Sequence, residues 1–121
     1  MNLVRYLAIP YADQGRSETG CDCWGFARII LAEETGLLLP EFSYIKDKAK
    51  AGEAMAGFSK IQDPCDFDLV HMKGYGYLLH VGIYYQGGIL HMTAAGPSYQ
   101  PEKKLADRIL GFYRSGIFAI V

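Results

Sequence analysis

Six side chains in this sequence can supply nucleophilic or acid–base chemistry near neutral pH: the cysteines Cys21, Cys23 and Cys65, and the histidines His71, His80 and His91. Cys23 has the setting of a nucleophile. It follows Asp22, a good helix N-cap, and precedes Phe26, Ala27, Ile30 and Leu31, whose spacing of three and four predicts an amphipathic helix. Gly36 suits the position just past the helix, and Pro40 bars continuation. A thiol in the first turn of such a helix meets unpaired backbone N–H groups and the positive end of the helix dipole. Both favour the thiolate, which is the nucleophilic form. Cys23 is therefore the candidate to attack an acyl carbon. Cysteines at large are more often small buried hydrophobes, so the candidate needs a base.

His80 opens the run His-Val-Gly-Ile-Tyr-Tyr, and His91 lies in Ile-Leu-His-Met. A two-residue loop at Gly87-Gly88 or Gln86-Gly87 sets His91 opposite Tyr84 or Gly82. Either register puts His80 and His91 on one sheet face, because side chains alternate along a strand. Val81, Ile83, Tyr85, Leu90 and Met92 then take the other face, and Gly82 leaves room for a close approach. The three residues make a Cys-His-polar arrangement, with His80 as base and His91 holding its other ring nitrogen. The expected resting state is a thiolate–imidazolium pair. His80 would then protonate the leaving amine, and water would hydrolyse the thioester. The Cys23 N–H, with the Tyr11 hydroxyl, is the expected support for the oxyanion. His71 reads as a strand residue with no cysteine to pair with. Zinc held by Cys21, Cys23 and two histidines is a competing chemistry. A one-residue gap between the cysteines and the lack of a second ligand pair count against it, so neither metal nor cofactor is expected.

The elements that must position these residues divide along the chain. Asn2–Ile9 suits a short helix, and polar Pro10–Gly20 is a loop that delivers Tyr11. The helix after Asp22 follows. Asp47–Gly57 predicts a second, surface helix weakened by Gly52, and Phe58–Cys65 a connection. The apolar period then changes to two. Phe67–Met72, His80–Gln86, Ile89–Thr93, Ile109–Tyr113 and Ile117–Val121 read as strands of a meander-like antiparallel sheet. Helices first and strands after predict an α+β fold, with N-terminal helices packed on a C-terminal antiparallel β-sheet, as one domain over residues 1–121. Half the residues are hydrophobic, enough to build a core. A formal net charge of −1 gives no electrostatic case for nucleic acid or an anionic membrane. No apolar run is long enough to span a membrane. Met1–Asp13 lacks the apolar length and cleavage site of a signal peptide, and three cysteines cannot all pair internally. Free thiols in a reducing cytoplasm, or export by another route, are the expectation.

Three blocks now fall into a known order and spacing. Asp22-Cys23-Trp24-Gly25-Phe26, His80-Val81-Gly82-Ile83-Tyr84 and Leu90-His91 resemble the signature blocks of the NlpC peptidases, papain-like cysteine peptidases that hydrolyse bacterial cell wall. Tyr11 matches the family's tyrosine ahead of the cysteine block. Asp66-Phe67-Asp68-Leu69-Val70 is similar to the block that opens the family's sheet, and Gly111-Phe112-Tyr113-Arg114 to the close of the phage tail-associated subgroup. The resemblance implies a papain-like, NlpC-type fold with Cys23, His80 and His91 as catalytic residues. It implies a peptidoglycan stem peptide as substrate, cut between the γ-carboxyl of D-glutamate and the next diamino acid. It also places Tyr11 and Asp22 on the substrate side of the cleft, with Asp22 meeting a free amine. Trp24 stands where most members have serine, and is expected to reshape the pocket against the substrate. Cys21 and Cys65 are read as structural. Phage tail proteins are implied as partners, with the protein made in the host cytoplasm, carried on the virion tail and acting at the cell wall. Two other readings share these residues: an amidase, deamidase or acyltransferase on another substrate, and a non-enzymatic tail assembly protein with a vestigial site.

Overall fold

The first element follows from a cap and the principal helix from two. Asn2 accepts the Arg5 N–H at 3.3 Å and starts α1, Leu3–Leu7. Asp22 accepts the Gly25 N–H at 2.8 Å and starts α2, Cys23–Thr35. Gly36, at φ 76°, turns the chain out of α2 while its N–H still reaches the Ala32 carbonyl at 3.2 Å. A small hairpin, β1 (Arg16–Ser17) with β2 (Gly20–Cys21), occupies the polar loop between the helices. The structure, a computed structural model, describes residues 1–40, 57–74 and 80–116.

The second half supplies β3 (Phe58–Ile61), β4 (Leu69–Met72), β5 (His80–Tyr85), β6 (Gly88–Thr93), β7 (Gly96–Pro101) and β8 (Ile109–Ser115). Two short 3-10 turns, Glu102–Lys104 and Ala106–Arg108, join β7 to β8. Among the described residues these strands form one antiparallel sheet in the order β3-β8-β4-β5-β6-β7. The fold class is thus α+β, as the sequence implied. The meander holds from β4 to β7, but β8 inserts between β3 and β4. Two strands of this sheet were not expected. β3 falls in the predicted connection, and β7 in the polar break after Ala95. Both are edge strands, where proline and poor alternation are tolerated, so neither carries the apolar signature of a central strand. β4 starts at Leu69 rather than Phe67, because Phe67 takes a φ of 73° and belongs to the turn. Residues 47–56 of the expected surface helix, and the expected strand over 117–121, lie outside the described residues.

Alternation in the strands sorts the core. Trp24, Phe26, Ala27, Ile30 and Leu31 of α2 pack on Leu69, Val81, Ile83, Leu90 and Met92. Full burial of each large aliphatic or aromatic side chain contributes about 1.5–3 kcal/mol. The opposite sheet face carries a second cluster: Val70, Met72, Ile89 and Leu105, with the Tyr84 and Phe112 rings edge to face at 6.0 Å. Asp68, buried at the start of β4, accepts from Arg114 Nε at 3.0 Å and Nη2 at 2.8 Å and from the Cys65 N–H at 2.7 Å. That pair locks the entry of β4 to the end of β8. It gives a structural reason for the Asp68 and Arg114 blocks singled out in the sequence. Antiparallel pairing brings the end of β4, the start of β5, the end of β6 and the start of β8 to the same end of the sheet. Among the described residues no helix is long and apolar enough to cross a membrane.

Candidate active site

The β5–β6 hairpin decides which histidine nitrogens meet. Gln86 and Gly87 have φ of 46° and 78°, the paired positive values of a two-residue type I′ loop. This selects one of the two registers open to the sequence, with His91 opposite Gly82. His80 Nε2 and His91 Nδ1 are then 3.2 Å apart, with the rings edge to face at 83°. Gly82 is needed for this approach. A Cβ there would lie 2.7 Å from Ile89 Cγ2 and 3.0 Å from His91 Cβ, closer than packed atoms allow. Both imidazoles are buried, His80 at 6% exposure and His91 at 1%.

Cys23 arrives at the same end of the sheet on the first turn of α2. Its neighbours include the backbone N–H groups of Val81, the residue after His80, and of Trp24. A cavity of about 240 Å³ opens there. Cys23 and Tyr11 wall it from the N-terminal half, and His80, Met92, Thr93 and Arg108 from the strand ends, with Gly74 and Ala94 completing the rim. Tyr11 is held in place by a backbone bridge to Cys21. The cavity therefore brings together three residues singled out in the sequence, Tyr11, Cys23 and His80, with His91 directly behind His80.

Burial sets the protonation states. The Cys23 thiol, 4% exposed, is pushed up to about 12 by burial, with the Asp22 carboxylate adding to the shift. The Val81 and Trp24 N–H groups and the Arg16 charge work the other way. His80 is pushed down to about 4, by burial first and then by the charges of His91 and Arg108. His91 is lowered by burial and by Arg108, while the Gln100 side chain opposes this. Desolvation thus opposes charge on both partners, and the resting form it favours is a neutral thiol and a neutral imidazole. Desolvation thereby works against the expected thiolate–imidazolium resting pair. The helix N-terminus and the two N–H groups are present, but removal from water outweighs them.

Other positions land elsewhere. Trp24 does not line the cavity. It is completely buried, and its indole N–H donates to the Pro40 carbonyl at 2.9 Å. Its bulk fills the core under α2 instead of reshaping the pocket. Asp22 is 1% exposed, and its Oδ1 both caps α2 and accepts from Arg16 Nη1 of the β1–β2 hairpin at 2.7 Å, so this oxygen is taken up by structure. Cys21 is buried beneath Gly25, and Cys65 is exposed. Among the described residues no three His, Cys, Asp or Glu side chains converge as metal ligands do. His71 pairs with Val81 and stacks near the Tyr113 ring at 6.2 Å. Arg108 was not anticipated. It belongs to no motif, and only the insertion of β8 beside β4 carries it to the cavity.

A thiol at a helix N-terminus shares a cavity with His80, which is bonded to a second buried histidine, on helices packed against an antiparallel sheet. The chain belongs to the NlpC/P60 family, whose model matches residues 8–103. The fold is similar to that of the NlpC/p60 domain of the peptidoglycan hydrolase SagA, with a TM-score of 0.62 at 22% sequence identity. That likeness covers 93% of this chain and 91% of the other. No curated protein matches the sequence.

Proposed function

We propose that this protein is a cell-wall endopeptidase. In this reading it cuts the peptidoglycan stem peptide between the γ-carboxyl of D-glutamate and the next diamino acid, through a thioester on Cys23. The observation that carries the reading is the shared cavity of Cys23 and His80, with His91 bonded behind, on an NlpC/P60 fold.

The bond between the histidines limits the tautomers to those with a single proton between Nε2 of His80 and Nδ1 of His91. The bond fits either direction, and the mechanism uses the one in which His80 Nε2 keeps its proton and donates to His91 Nδ1, which leaves His80 Nδ1 unprotonated to take the thiol proton. Sulfur attacks the amide carbon as that proton moves, so charge separates only when the substrate has displaced water from the cavity. The Cys23 N–H and the Tyr11 hydroxyl are the donors for the resulting oxyanion. His80 returns the proton to the departing amine, and the C–N bond breaks. A water, deprotonated by the same nitrogen, then hydrolyses the thioester and restores the thiol. His91 keeps the ring of His80 in the working orientation throughout.

The family and the similarity to a domain of a peptidoglycan hydrolase support this substrate. Placement on a phage tail is part of the proposal and rests on the resemblance of Gly111–Arg114 alone; fractionation of virions with detection of this chain tests it. For the reaction, mass spectrometry of wall fragments released by native and Cys23→Ala protein is decisive. New amino termini on the diamino acid with the native protein, and none with Cys23→Ala, are expected. Fragments that persist with Cys23→Ala would overturn the mechanism. A wall left intact by native protein would overturn the substrate and favour another acyl compound.

A further inference from the structure

Arg108 stands on the cavity wall outside the span that the family model matches, residues 8–103. From this position we infer that Arg108 is a specificity residue that binds a free carboxylate next to the scissile amide. The inference rests on the peptidase reading of the same cavity.

Three observations carry it. Among the described residues that line the cavity, Arg108 alone bears a permanent charge, so a bound substrate meets one fixed cation there. The guanidinium is also anchored. Arg108 Nη2 donates to the Lys73 carbonyl at 3.0 Å, and the Lys73 N–H donates to the Arg108 carbonyl at 2.8 Å. The first bond places the side chain, and the second the backbone, at the end of β4, beside Gly74 on the rim. Finally, the strand leading from Arg108 is irregular where it counts. Pairing between β4 and β8 shifts from His71↔Gly111 to Met72↔Ile109, which leaves Leu110 as a bulge. Bulges re-aim the chain beside them, and this one lies two residues from Arg108. The charge of Arg108 is felt at both His80 and His91, which agrees with its sharing the cavity with His80.

The chemistry sets the ligand. A planar cation that is partly desolvated recognises a carboxylate through paired hydrogen bonds, and discriminates strongly against its amide. A γ-linked glutamate keeps its α-carboxyl free, and a diamino dicarboxylic acid keeps a second carboxyl on the amine side. Either can be the partner, and amidating one side at a time separates them.

The test compares four stem-peptide substrates: both carboxyls free, only the glutamate α-carboxyl amidated, only the diamino-acid carboxyl amidated, and both amidated. For native protein, kcat/KM should be at least about tenfold higher with the recognised carboxylate free than amidated. In Arg108→Gln that ratio should collapse towards one, while Arg108→Lys, which keeps the charge but not the fork, should retain part of it. The same four peptides are titrated by calorimetry into Cys23→Ala protein, which reads the preference without turnover. Equal affinities and equal rates for all four with the native side chain at 108 would overturn the inference even if wall cleavage is intact. An equal loss on all four in Arg108→Gln, with the preference kept, would also overturn it, since that is the signature of a structural role. Absence of any turnover, with the carboxylate preference still present in binding, would instead fault the peptidase reading and leave this one standing.

Discussion

At the scale of single residues, identity and spacing pointed to a candidate site, and its surroundings bias the charge of each group. Cys23 was legible because Asp22 and the three-and-four spacing behind it mark a helix start. His80 and His91 were legible because alternation puts both on one face in any two-residue hairpin. The protonation state was not legible. Burial by side chains distant in sequence raises the thiol and lowers the imidazole, and no local pattern encodes that. The absorbance difference between native and Cys23→Ala protein should therefore show no thiolate from pH 5 to 8. The ionisation should come only above the ordinary cysteine range of about 8.5. A thiolate signal already complete at pH 6 would show that an ion pair outweighs desolvation. Trp24 and Asp22 teach the same lesson. The family resemblance set both against the substrate, yet successive residues at a helix start point about a hundred degrees apart. One faces the core and the other the β1–β2 hairpin.

At the scale of elements, α2 and the β5–β6 hairpin do most of the positioning, and both were readable. Each has a strong local signal: an N-cap with a left-handed glycine for the helix, and a Gln-Gly loop between apolar runs for the hairpin. The edge strands β3 and β7 were not readable, because a strand with only one neighbour needs neither alternation nor freedom from proline. The place of β8 was hidden too, since its pairing with β4 is long-range, and Arg108 was missed with it. Gly82 is the point at which the hairpin is least tolerant. Gly82→Ala puts a methyl against His91 and Ile89, so His91 must tilt or the strands must part. We expect a loss of kcat/KM of about tenfold or more, and destabilisation of about 1–3 kcal/mol from overpacking. Steady-state rates together with denaturant midpoints check this. Native activity in Gly82→Ala would show that the histidine contact is dispensable.

At the scale of the whole molecule, the three histidines share one direction. His71, His80 and His91 are all lowered, in each case by burial first. The unfolded chain therefore binds more protons than the folded one below about pH 6.5. Stability is fully present above that value and falls as pH drops towards about 4, where His80 itself takes up its proton. His80 alone should account for about 2–3 kcal/mol of that loss. Denaturant unfolding at a series of pH values from 7 to 4 reads it, and His80→Gln should flatten the slope. A stability constant over that range would contradict the buried neutral pair. Glu33, held down to about 2 chiefly by its bond to Arg5, stays ionised through this window. The overall α+β layout was legible from the order of periodicities alone, because helices precede strands and one sheet face must be covered.

The central claim is that the sulfur of Cys23 does the chemistry, and following wall-digesting activity during alkylation with iodoacetamide tests it most directly. Peptide mapping by mass spectrometry at each time point reports Cys21, Cys23 and Cys65 separately. The account predicts that activity falls in proportion to modification of Cys23, whatever the state of exposed Cys65. Full activity in protein whose Cys23 is completely alkylated would contradict it.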